Sequence, residues 1–176
     1  MNLYEFQGKK LLGDYGIKVP EGKVVRTPQE VPDVGKAVAV KSQVLIGGRG
    51  KSGAIIFCNN TQEAKEAVEK CLSTAIHGHT ANKVLIEEKL EIAREFYLSI
   101  FINRKNKVPT IMFSTKGGVD IEDVAAGDIA MTDVNLLIGL RPFMIRKILS
   151  RFSLDTPVTE GLGDTIGKLY KLFCEK

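Results

Sequence analysis

Four of the seven residues from Gly47 to Gly53 are glycine, and Arg49 and Lys51 stand among them. Gly48, Gly50 and Gly53 fall in the register G-x-G-x-x-G, whose exposed backbone amides can hold a chain of phosphates. The dinucleotide form of that loop opens a helix, so that the pyrophosphate meets the helix amino terminus. Here Ala54-Ile55-Ile56-Phe57-Cys58 follows, and its β-branched and aromatic residues favour a strand. A Walker loop fails as well, because the glycine it needs five positions before Gly50 is Leu45 and no helix follows the lysine. What remains is a strand, a glycine loop and a strand. The amides of such a hairpin, with Arg49 and Lys51, can close over the phosphates of a nucleoside triphosphate. A long polar turn with incidental charges is the alternative.

Lys41 interrupts the otherwise apolar strand expected from Ala37-Val38-Ala39-Val40 to Val44. An unpaired buried ammonium is costly, so this side chain must reach solvent or an anion, and a phosphate would satisfy it. Glu87-Glu88 ends the run Val84-Leu85-Ile86. Backbone beside such a strand can read an adenine edge, and a carboxylate there can accept ribose hydroxyls. An exposed acidic strand end is the bland reading. Glu95 opens the next apolar segment, and half of a surface pair with Arg94 is its bland reading.

These residues require strands to carry them, and the patterning supplies strands and helices in mixture, an α+β chain. Leu3, Phe6, Leu11, Leu12 and Tyr15 recur at helical spacing before Gly16. A strand is expected near Val24-Val25, and Thr27-Pro28-Gln29-Glu30 carries the cap, proline and acid of a helix start. Strands are expected at 37–44 and 54–58, then a helix capped by Thr61 and running to about Ile76. The segments 83–88, 95–103 and 108–114 read as strands, the last two antiparallel about Asn103-Arg104-Lys105-Asn106. A further strand is expected over 129–132, and helices over 143–152 and 162–173.

Composition narrows the function classes. A chain of 176 residues with 44% hydrophobic content can bury a core. Its net charge of +4 is spread through the sequence without a basic block, which favours a small anionic ligand over nucleic acid. No apolar run approaches the roughly 20 residues that span a bilayer, and the first residues lack the regions of a signal peptide. A soluble, intracellular protein is the expectation. Cys58, Cys71 and Cys174 are read as buried free thiols, and His77 and His79 as surface loop residues without a metal.

Taken together, these motifs resemble the beta subunit of succinyl-CoA synthetase. The resemblance is carried by the opening Asn2-Leu3-Tyr4-Glu5-Phe6-Gln7-Gly8-Lys9 and by Val40-Lys41-Ser42-Gln43-Val44 leading into Gly47-Gly48-Arg49-Gly50-Lys51. Val84-Leu85-Ile86-Glu87 with Ile92-Ala93-Arg94-Glu95-Phe96-Tyr97-Leu98, and the loop Ser114 to Glu122, complete it. Lys116 stands where that family commonly has an acidic residue, and 136–142 fits its pattern loosely.

The resemblance implies an ATP-grasp fold of two α+β lobes, the smaller near 20–100 and the larger from 1–19 and 101–176. It implies that Lys41 contacts nucleotide phosphates, that Gly48, Arg49 and Gly50 form a phosphate flap, and that Glu87, Leu90 and Glu95 surround base and ribose. The nucleotide would be ATP/ADP or GTP/GDP. Magnesium would be bound by an Asn and an Asp beyond residue 176, so the chain alone is expected to bind nucleotide weakly and not to turn over. The intact enzyme implied is a ligase interconverting succinate, CoA and NTP with succinyl-CoA, NDP and phosphate, through a phosphohistidine on an alpha-subunit partner. Its compartment would be the cytoplasm, or the mitochondrial matrix in a eukaryote. Malate-CoA ligase, a citrate-cleaving synthetase and a non-catalytic ATP-grasp remnant are the alternatives.

Overall fold

The computed structural model describes residues 2–45 and 54–176. The chain divides into two compact units, one of Met1–Asp14 with Lys18–Glu91 and one of Tyr15–Ile17 with Ile92–Lys176. The division departs from the expected boundaries in two places. The first fourteen residues go with the first unit, because Phe6 N donates to Gln43 Oε1 at 3.2 Å and Lys9 pairs with Glu87. The second unit begins at Ile92 rather than 101.

In the first unit, β1 (Gly22–Val25), β2 (Val38–Ser42), β3 (Ile55–Cys58) and β6 (Val84–Glu88) form an antiparallel sheet in the order β1-β6-β2-β3. Helix α2 (Thr61–Ser73) covers one face, burying Ala64, Ala67, Val68 and Cys71 against Val25, Val40, Val84 and Ile86. Helix α1 (Glu5–Asp14) makes its contacts with the opposite face. With both faces in use, Val84-Leu85-Ile86 is apolar without a break, where a strand with one solvent face would alternate.

Local chemistry moved several helix ends. The cap of α2 is Asn60 rather than Thr61: Asn60 Oδ1 accepts from Glu63 N at 2.9 Å, and Glu63 Oε2 accepts from Asn59 N at 2.8 Å. The helix stops at Ser73 rather than at Ile76, because Ala75–Ile76 (β4) pairs with His79–Thr80 (β5) in a short hairpin. His77 and Gly78 form its two-residue turn with φ of 47° and 81°, the positive values such turns need. After Thr27 only a single tight turn forms, Pro28–Glu30, without a side-chain cap.

In the second unit, β7 (Tyr97–Asn103), β8 (Val108–Ser114) and β9 (Ile129–Asp133) form an antiparallel sheet in that order. The β7–β8 turn is held by Asn103 Oδ1, which accepts from Lys105 N at 3.1 Å and Asn106 N at 3.2 Å. Helices α3 (Pro142–Leu149) and α4 (Thr156–Glu175) pack Ile148, Leu149 and Ile166 against Ile111 and Phe113. Phe113 also meets Phe152 edge-on, with centroids 5.2 Å apart. Of the three thiols, Cys58 and Cys71 are buried, but Cys174 is exposed near the end of α4. Among the described residues no helix is long and apolar enough to cross a membrane.

Candidate nucleotide site

Strand register decides where the first unit's charges go. Lys41 pairs with Leu85, and Glu87 pairs with Ala39 and Gly22. Directly opposed residues share a face, so Lys41 and Glu87 are diagonal neighbours on the side that α1 touches. Their side chains meet in an ion pair. Helix α1 adds Glu5 and Lys9, one turn apart. Lys9 Nζ lies 2.8 Å from Glu5 Oε1 and also pairs with Glu87, and Lys41 Nζ lies 3.2 Å from Glu5 Oε1. The result is an alternating quartet of two ammonium groups and two carboxylates.

Burial gives this quartet its character. The Glu87 side chain is 4% exposed, while those of Lys41, Glu5 and Lys9 lie at 18–21%. Burial works against the charge on Lys41, but the hydrogen bond to Glu87 and the charges of Glu5 and Glu87 outweigh it and hold its pKa above the ordinary lysine value. Burial likewise raises the Glu5 carboxyl, and the Lys9 hydrogen bond with the Lys41 and Lys9 charges overrides it, leaving the pKa lowered. Lys41 and Glu5 are therefore both charged near neutrality. Gly22 lets β1 approach closely, since a Cβ there would lie 2.8 Å from Ile86 O and 2.9 Å from Glu87 Cβ. Between α1 and the sheet edge lies a groove of about 660 Å³, lined by Phe6, Lys9, Gly13, Val24, Leu85 and Glu87.

The expected site residues divide among these surroundings. Lys41 and Glu87 are in contact. Glu87 is not the exposed strand end of the bland reading, a description that suits Glu88 instead. Leu90 follows β6 and is 51% exposed, on a segment held by Lys89 N donating to Ala37 O at 3.0 Å. Glu95 belongs to the second unit, where its carbonyl accepts from Gly117 N at 3.2 Å. There it lines a cavity of about 440 Å³ with Thr115, Lys116, Asp123 and Asp128. Arg94 pairs with Asp155 at 2.8 Å rather than with Glu95, across an exposed surface. Gly48, Arg49, Gly50 and Lys51 lie outside the described residues. Glu5 and Lys9 were given no role from the sequence, although acid and base four residues apart on a helix that abuts a lysine-bearing strand was the available signal.

The donor set can take an anion with several oxygens once a carboxylate gives up its ammonium partner. Two ammonium groups converge on one face, with a carboxylate able to accept hydroxyl donors beside them. Among the described residues no group of three or more His, Cys, Asp or Glu side chains is placed to hold a metal ion, so no role toward magnesium is assigned to them.

A family model described as an ATP-grasp domain matches residues 2–176. The chain is 42% identical over 180 residues to the beta subunit of the ADP-forming succinate–CoA ligase of Rubrobacter xylanophilus, a match covering 98% of this chain and 47% of that one. Identity is 39% to the same subunit of Methanocaldococcus jannaschii, over 99% of this chain and 50% of the relative. It is 38% to the GDP-forming beta subunit of Thermus thermophilus, over 98% and 47%. The chain thus spans about half the length of the curated relatives it matches. Among solved structures, ATP citrate lyase of Methanothrix soehngenii superposes with a TM-score of 0.76 at 20% identity, over 98% of this chain and 44% of that one. A dinucleotide-forming acetyl-coenzyme A synthetase of Ca. Korarchaeum cryptofilum gives 0.75 at 16%, over 99% and 81%. The α+β fold with its antiparallel sheets and flanking helices is an ATP-grasp fold, and the chain belongs to the ATP-grasp domain family, with succinate–CoA ligase beta subunits as its curated relatives.

Proposed function

We propose that this chain is the nucleotide-binding part of the beta subunit of a succinate–CoA ligase. The whole enzyme interconverts succinate, coenzyme A and a nucleoside triphosphate with succinyl-CoA, the diphosphate and phosphate, in complex with an alpha subunit that carries the phosphorylated histidine. In this reading Lys41 takes the nucleotide phosphates together with Gly48, Arg49 and Gly50. Glu87 accepts ribose hydroxyls, and Leu90 and Glu95 lie about the base and ribose.

The observation that carries the reading is the placing of Lys41 beside a buried carboxylate on one sheet face, in a chain whose relatives are named for this activity. Phosphoryl transfer depends mainly on positioning and on neutralising charge, so a site of fixed ammonium groups is the contribution a nucleotide-binding part must make. Magnesium, when bound, adds charge neutralisation at the phosphates. Lys41 meets the anion, and Glu87 orients its ammonium group.

Calorimetric titration of ATP and ADP into the chain and into Lys41→Ala tests the reading. About tenfold weaker binding, or more, is expected for the variant, the size of a lost charge-assisted contact to phosphate. Equal binding by the two proteins, or none by the parent, would count against it.

A further inference from the structure

We propose that Glu5 is a further residue of the nucleotide site, a resident counter-anion that competes with phosphate for the ammonium of Lys41 and so limits what phosphate charge contributes to affinity. The inference rests on the reading of Lys41 given above. Three features point to it. Glu5 comes from α1, while Lys41 and Glu87 belong to the sheet, so its carboxylate can give way without disturbing strand register. Its side chain is 18% exposed against 4% for Glu87, which makes Glu5 the carboxylate that an incoming anion can reach. Finally, Glu5 stands 3.2 Å from Lys41 but 2.8 Å from Lys9, its neighbour one helical turn away. When Lys41 turns to phosphate, Glu5 retains a partner on its own helix.

Two ammonium groups and two carboxylates sum to no net charge, so these four side chains attract an anion only once a carboxylate yields. Removing the Glu5 charge leaves a surplus positive charge within a few ångströms of the phosphates. At the effective dielectric of a half-buried site this is worth a gain of about three- to tenfold in binding. The gain must scale with phosphate charge.

The test is titration of ATP, ADP and adenosine, at one fixed magnesium concentration, into the parent, Glu5→Gln, Lys41→Ala and the double variant. Glu5→Gln is expected to bind ATP about three- to tenfold more tightly, ADP somewhat less so, and adenosine as the parent does. The gain is expected to vanish in the Lys41→Ala background. Glu5→Ala, checked by circular dichroism, repeats the experiment should the glutamine variant fail to fold. Unchanged or weaker ATP binding by folded Glu5 variants overturns the inference, as does a gain that survives without Lys41 or that extends equally to adenosine. If Lys41→Ala binds ATP as the parent does, the reading of the site itself falls; if Lys41→Ala weakens binding while the Glu5 variants leave it unchanged, only the role of Glu5 falls.

Discussion

Lys41 and Glu87 face each other diagonally across adjacent antiparallel strands, and their ion pair ties the centre of the first unit's sheet to α1 through Glu5 and Lys9. A residue that binds a ligand here is thus also part of what holds the unit together.

That dual role makes the two ends of the pair unequal. Replacing Lys41 by Met leaves Glu87 with Lys9, whereas replacing Glu87 by Gln leaves both lysines sharing Glu5. Urea unfolding is expected to show a loss of about 1 kcal/mol for Lys41→Met and about 3 kcal/mol for Glu87→Gln. The reverse ranking would show that Glu87 is not the hub of the quartet.

Acid is expected to weaken the first unit through Glu5. The pKa of this carboxyl in the folded chain is depressed below its ordinary 4.5, so its contribution is complete above that value and is lost as pH falls through the folded value. Among the charged groups around it are Lys9, Lys41 and, through them, Glu87. Between pH 6 and 3 the urea midpoint of the parent should fall more steeply than that of Glu5→Gln. Parallel curves would remove Glu5 from the acid limb.

Much of this was legible in the sequence because it is local. Apolar, β-branched and aromatic runs marked the strands, and Lys41 announced itself as a charge inside an apolar strand. The diagonal meeting of Lys41 with Glu87 was not legible, since register depends on which strands become neighbours, and β6 inserts between β1 and β2. The anion that Lys41 required turned out to include two carboxylates of the chain itself, one of them on a helix remote in sequence. Asn60 displaced Thr61 as the cap because a side-chain oxygen one residue earlier reaches Glu63 N, a choice that composition leaves open.

That cap predicts its own cost. Asn60→Ala removes the acceptor for Glu63 N and should destabilise the first unit by about 1 kcal/mol. Asn60→Asp, which keeps an acceptor, should recover most of the loss in the same unfolding experiment.

The second unit carries a tighter constraint at Gly117. A Cβ there would lie 2.6 Å from the carbonyl carbon of Glu95 and 2.7 Å from Phe96 N, both backbone atoms that cannot swing aside. Gly117→Ala should lower stability by about 2 kcal/mol and shift the amide resonances of Glu95 and Phe96. A variant as stable as the parent would mean that the loop moves away freely.

The three thiols should separate by rate. Burial raises the pKa of Cys58 and Cys71, whereas Cys174 is exposed. In the native protein a disulfide reagent such as Ellman's reagent is expected to titrate one thiol rapidly, and Cys174→Ser to abolish that phase. A fast phase that persists in the variant would place reactivity elsewhere.

A crystal structure of the chain with bound ADP would show whether Lys41 holds the nucleotide phosphates. A phosphate oxygen is expected within about 3 Å of Lys41 Nζ, the distance of a charge-assisted hydrogen bond, with the ribose beside Glu87. A nucleotide bound elsewhere, with Lys41 still held between Glu5 and Glu87, would contradict it.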